Sequence, residues 1–281
     1  MSEKQTPGIR KWPASRGLAW VTGSVVLIRT QVLRLLLISL FFQFFLSFSQ
    51  AGALGLLVIL CLPVLSAGLL HALYLVEQGQ KPMLAVLFMP FTVGSSLSRL
   101  LLLGAVVLVL GLIAVSLMLA GQLVDIDPSI LSRIEEGDLE ALQMIDPQLI
   151  EHAVMAMAVG AAISGTISYF SVPLIWFNKM PLGQALGTGL IALARNWKPL
   201  LLVGMFLTLL AIPVGLLFAF FYVSVLTGGT ASFWLAFLML LVGPIFQLML
   251  FATQYMAFRD IFGIEISSEG KNGQDRDQLV A

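Results

Sequence analysis

The chain has 281 residues, of which 59% are hydrophobic and only 11% charged, with a mean hydropathy of +0.98. A soluble domain carries about a quarter charged residues, so an ordinary soluble enzyme is excluded and a polytopic membrane protein is indicated. The 15 Lys/Arg balance the 15 Asp/Glu to a net charge of zero, so the information lies in where the charges stand.

Residues 1–16 carry Lys4, Arg10, Lys11 and Arg16 and read as a polar, mobile lead-in. Residues 17–29 mix Leu18, Trp20, Val21, Val25 and Ile28 with Thr22, Gly23 and Ser24. That segment is shorter than the ~20 apolar residues a spanning helix needs. Trp12 and Trp20 suit the headgroup level, where an indole keeps its N–H wet. An interfacial helix is predicted here. The first span covers about 31–49 and is rich in phenylalanine (Phe41, Phe42, Phe44, Phe45, Phe48). The long lead-in and a poor cleavage site at Ser47–Ala51 predict that this helix is retained and not removed as a signal peptide.

Gln50-Ala51-Gly52 is a turn, and a second span follows at about 53–76 with Pro63 in its middle. Cys61, the single cysteine, lies in that apolar run and reads as a small packing residue. A short charged loop runs from Glu77 to Pro82. Residues 83–94 form a second interfacial segment, predicted to be interrupted at Pro90, and the third span covers about 97–120. The composition then changes. Residues 122–152 hold Asp125, Asp127, Glu135, Glu136, Asp138, Glu140, Asp146 and Glu151 against the lone Arg133. Asp127-Pro128 and Asp146-Pro147 are helix starts, an N-cap acid followed by proline in the first turn. An acidic helical hairpin outside the membrane is predicted over 122–150, running into a fourth span at about 150–177. After a loop carrying Lys179 come a third interfacial segment (182–195), a fifth span (198–226, with Pro213), a turn at 227–230 and a sixth span (232–258, with Pro244). Residues 264–281 are polar and predicted to be a disordered cytoplasmic tail.

The predicted fold is all-α: one membrane domain over 1–263, a polytopic bundle of six transmembrane helices. Its organisation is repetitive. Arg34-Leu35-Leu36-Leu37, Arg99-Leu100-Leu101-Leu102 and Lys198-Pro199-Leu200-Leu201 each place one basic residue at the head of an apolar run. Pro82 precedes Arg99 by the same interval at which Pro181 precedes Lys198, and Gly17 stands at the matching distance from Arg34. This predicts three parallel repeats, about 14–78, 82–177 and 181–262, each an interfacial helix followed by two spans, around a pseudo-threefold axis. Each returning span holds a proline (Pro63, Pro173, Pro244), which frees a carbonyl one turn back for a neighbour to satisfy. Inverted repeats, the usual mark of rocking transporters, are not the pattern. With both termini on one side, all the Lys/Arg but Arg133 fall on that side, which is therefore predicted to be the cytoplasm.

Tyr169-Phe170-Ser171-Val172-Pro173, then Met180-Pro181-Leu182-Gly183-Gln184-Ala185-Leu186 and Arg195-Asn196-Trp197, resemble a family of uncharacterised six-span bacterial inner-membrane proteins. The closing Tyr255-Met256-Ala257-Phe258-Arg259-Asp260-Ile261-Phe262 is similar to one branch of it. The resemblance covers about 14–263. It implies an architecture shared with the membrane domain attached to some glycerophosphodiester phosphodiesterases, and a bacterial inner membrane, but no activity.

Catalysis or ion coupling in a membrane needs ionisable groups at depth, and the span centres hold none. His71 comes nearest and could cluster with Tyr74. Gln43, Gln247 and Gln254 are the other intramembrane polar candidates, for a polar pocket or for bonding another helix. Ala156, Gly160, Ser164 and Ser168 recur at every fourth residue and read as a close-packing face. Arg29, Arg34, Lys81, Arg99, Lys179, Arg195 and Lys198 form a basic ring that sets topology and attracts anionic lipid headgroups. No motif for a metal, cofactor, nucleotide or nucleic acid is present. The predicted function is that of a non-enzymatic inner-membrane protein whose partners are membrane lipids or a membrane protein. The alternative is a transporter or channel with a cavity on the threefold axis. A central polar cavity would favour transport. A solid core with grooves beside the interfacial helices would favour lipid or partner binding.

Overall fold

A computed structural model describes residues 8–50, 52–120, 129, 147–226 and 233–263. The predicted acidic hairpin and the C-terminal tail lie outside the described residues, apart from 129 and the start of the fourth span. Every regular element among the described residues is helical. Five helices are long and apolar enough to cross a membrane, and a bent pair makes up to six. The protein is a helical, multi-pass membrane protein, all-α among the described residues.

The bent pair comes first. Helix α1 (Arg16–Thr30) and helix α2 (Val32–Ser47) meet at 103°. The break is Gln31, whose φ of −144° and ψ of 45° leave the helical region. Gly17, Trp20, Val21, Ser24 and Leu27 form the buried stripe of α1, a spacing that keeps one helix face inward. The 16 residues of α2 reach only about 24 Å. The 3-10 turn at Phe48–Gln50 adds about 6 Å, which brings the pair of elements to the ~30 Å of a hydrocarbon core.

Helix α3 spans Gly52–Glu77. A 3-10 helix (Leu84–Phe88) and the short α4 (Met89–Thr92) lead to α5 (Gly94–Leu119). The predicted interruption at Pro90 is not observed: Pro90 lies in the first turn of α4, where its missing N–H is no loss, and the chain breaks at Val93 instead. Helix α6 is Pro147–Phe177, α7 Leu182–Arg195, α8 Trp197–Leu226 and α9 Phe233–Phe262. The last runs one turn beyond the predicted end at 258.

Helices α3, α6 and α9 touch one another. Leu69, Leu70 and Leu73 of α3, Phe170 and Leu174 of α6, and Tyr255 and Phe258 of α9 are all buried at or below 2% exposure. Against these, α1 packs on α9, the 3-10 helix on α3, and α7 on α6. Gly68 explains one close approach: a Cβ there would stand 2.1 Å from the Leu87 carbonyl oxygen. The small-residue face of α6 packs on α5, where Gly160 and Ser164 face the Gly111 region. Pro173 cannot donate to the carbonyl of Tyr169 four residues earlier, and Gln254 of α9 donates its Nε2–H to that oxygen. Helix α8 stands apart, with 6% of its spanning window buried against 50% for α3 and α9.

Candidate functional site

One end of the bundle gathers the polar chemistry. The Arg10 N–H donates to the Ile261 carbonyl (2.9 Å). Asn196, fully buried at the α7–α8 junction, donates to the Arg10 carbonyl (3.0 Å) and accepts the Trp12 N–H (2.9 Å). Residues 8–15 are therefore fixed against α9 and the junction, which corrects the prediction of a mobile lead-in for that part. An asparagine suits the break because its amide both donates and accepts.

Beside it lies an ionic cluster that hydropathy conceals. The Asp260 carboxylate, 9% exposed as a residue, accepts from Arg16 Nε (2.8 Å) and Trp20 Nε1 (2.9 Å). Its backbone carbonyl accepts from Trp12 Nε1 (3.2 Å). Arg259 bridges the Asp260 Oδ1 (3.3 Å) and the Glu77 carboxylate, and the Tyr255 hydroxyl donates to the other oxygen of Glu77. Charges at this depth persist only when paired, and here each carboxylate has a cation and an aromatic donor. Sequence reasoning ended the sixth span before this turn. The available signal was Glu77 at the end of one long apolar helix while Arg259-Asp260 stands at the end of another.

Two members of the basic ring already have protein partners. Arg99 Nη1 donates to the Lys179 carbonyl (2.6 Å). Lys179 Nζ reaches Ser96 Oγ (3.4 Å) and lies 4.1 Å from the centroid of the Trp176 ring. Lys179 is left-handed (φ 54°), and burial together with the neighbouring Arg99 guanidinium holds its ammonium below the usual lysine range. This pair stitches α5 to the end of α6. Arg29, Arg34, Lys81, Arg195 and Lys198 are exposed.

The intramembrane polar candidates scatter. His71 stacks on Tyr74 (5.7 Å) and meets Trp176 edge-on (5.6 Å), so those two do come together. Its Nδ1 has no hydrogen-bond partner among the described residues. Gln247 accepts from Ser39 Oγ (3.3 Å), Gln43 is half-buried beside Gly243, and Gln254 is engaged by the freed Tyr169 carbonyl.

Two adjoining clefts open at the same end. The first, about 300 Å³, is bordered by Lys11, Trp12, Arg195, Trp197 and Lys198. The second, about 710 Å³, runs between α1 and α8 past Leu18, Leu201, Met205 and Leu209. Trp197 and Lys198 border both, and among the described residues no carboxylate borders either. Among the described residues no three His, Cys, Asp or Glu are grouped to hold a metal ion. No protein-family model, curated protein or solved structure matches the chain.

Proposed function

We propose that the protein is a non-enzymatic bacterial inner-membrane protein that engages anionic lipids through its interfacial helices, with the basic end and both termini in the cytoplasm. The observation that carries this is the junction of a cleft bordered by exposed basic residues with an apolar groove, neither bordered by a carboxylate among the described residues. A basic residue at a membrane surface attracts anionic headgroups by about 1 kcal/mol, and several around one end add up. The cyclic packing of α1 on α9, the 3-10 helix on α3, and α7 on α6 supports three parallel repeats around the α3–α6–α9 core. The motif resemblance supports membership of the uncharacterised six-span family. Transport through the axis would need a polar path, whereas Gln247 and Gln254 are engaged by neighbouring helices.

Arg34, Lys81 and Lys198 should be changed to Gln together and the co-purified lipid analysed by native mass spectrometry. At ~1 kcal/mol each, the triple variant should lose phosphatidylglycerol at least tenfold relative to phosphatidylcholine. Unchanged enrichment would remove the basis of the lipid reading.

A further inference from the structure

We infer that the two adjoining clefts are one binding site for a single anionic phospholipid: the phosphate among Lys11, Arg195 and Lys198, an acyl chain in the groove between α1 and α8. This rests on the lipid reading above and narrows it to one place in the molecule.

The chemistry runs in one direction along α8. At the mouth stand three cations and two indoles, with no acidic residue on the walls among the described residues. One to three turns further in, Leu201, Met205 and Leu209 are 55%, 66% and 68% exposed. Their spacing of four aligns them in a single stripe, an apolar wall of about 12 Å at 1.5 Å per residue. A charged head joined to an apolar tail matches that gradient. Trp197 stands at the boundary, 56% exposed, where indoles favour the junction of headgroup and hydrocarbon. Its ring faces Lys198 Nζ at 5.7 Å.

The site is built before any lipid arrives. The buried Asn196 holds the backbone of Arg10 and Trp12, which stations Lys11 and Trp12 at the outer wall. Gly17 lets α1 approach α8, since a Cβ there would be 2.4 Å from the Pro199 carbonyl oxygen. That approach closes the floor of the groove near Leu18. The three residues that head apolar runs therefore differ. Arg99 is spent on the Lys179 carbonyl, while Lys198 faces both clefts.

The test uses the full-length protein in nanodiscs of equal phosphatidylglycerol and phosphatidylcholine, delipidated stepwise and read by native mass spectrometry. The wild type should keep one phosphatidylglycerol per chain to the end. Arg195→Gln/Lys198→Gln should lower that retention at least tenfold and leave phosphatidylcholine unchanged. Met205→Trp, which fills the groove, should lower both. Millimolar inorganic phosphate should not displace the lipid; displacement would overturn the role of the groove. If Arg34→Gln/Lys81→Gln removes the retained lipid and the 195/198 pair does not, this site falls and the broader reading stands. If neither pair alters enrichment, both fall. Should the variants misfold, a phosphatidylglycerol with a diazirine in its acyl chain, cross-linked to the wild type, should label peptides holding Leu18 or Leu201–Leu209. Labelling confined to other helices would overturn the assignment.

Discussion

The Asp260 side chain ties the first helix to the end of α9 at the basic end. Its carboxylate is met by Arg16 and Trp20 from the first helix and by Arg259 from its own. Asp260→Ala would strand the buried Trp20 N–H and leave Arg16 without its acceptor. Removing one partner of such a buried set costs about 3 kcal/mol, and thermal unfolding in detergent should register a clear drop. His71 should behave in the opposite way. Its Nδ1 is buried without a partner among the described residues, while its ring is held by Tyr74 and Trp176. His71→Phe keeps the rings and removes the stranded nitrogen, so the melting temperature should stay level or rise, by the equivalent of about 1 kcal/mol. A loss of stability would mean that the imidazole has an occupant that a phenyl group cannot serve. Of these two residues only His71 stood out in the sequence. Asp260 entered only as part of the closing motif, with no role assigned, because a hydropathy window averages a charge against the apolar turns around it, and its partners on the first helix lie far away along the chain.

At the scale of elements, lengths and apolar runs were legible, and the helix predicted over 182–195 came out with its observed ends. Breaks were harder to read. Pro90 drew attention as an interruption, yet a proline is harmless in a first turn, and Val93 gave no sign in its side chain that the helix would stop there. The consequence of a proline inside a long apolar helix was legible for α6, because the freed carbonyl must find a donor. Which residue supplies it, Gln254, required the packing. Close approaches were illegible, since a glycine in an apolar run has many uses. Gly68→Ala tests one of them. The new methyl would meet the Leu87 carbonyl at 2.1 Å, and a backbone atom cannot rotate away. Overpacking of this kind costs about 3 kcal/mol, so the variant should lose its cooperative thermal transition. Gly215→Ala, with nothing within 4 Å of the new carbon, should be neutral.

For the whole molecule, composition alone sufficed to indicate a multi-pass helical protein, because so few charges among so many apolar residues leave no other solvent for the surface. The arrangement of the helices depended also on contacts between elements far apart along the chain, such as those of α1 and α6 with α9, which no local pattern encodes. The proposed orientation can be checked directly. In a Cys61→Ala background, single cysteines at the exposed positions Lys81 and Arg195 should react with a membrane-impermeant maleimide only after the inner membrane is opened. Labelling in intact spheroplasts would invert the topology.

The clasp between the first helix and the last also imposes an order in time. Arg16, Trp12 and Trp20 emerge from the ribosome more than two hundred residues before Asp260. Throughout synthesis the first helix carries an indole and a guanidinium whose acceptor does not yet exist. The bundle can be inserted span by span, but it cannot lock until the final turn of α9 arrives. A nascent chain stalled short of that turn would expose the unpaired Trp20 and Arg16, a difference by which a membrane protease could tell an unfinished molecule from a finished one.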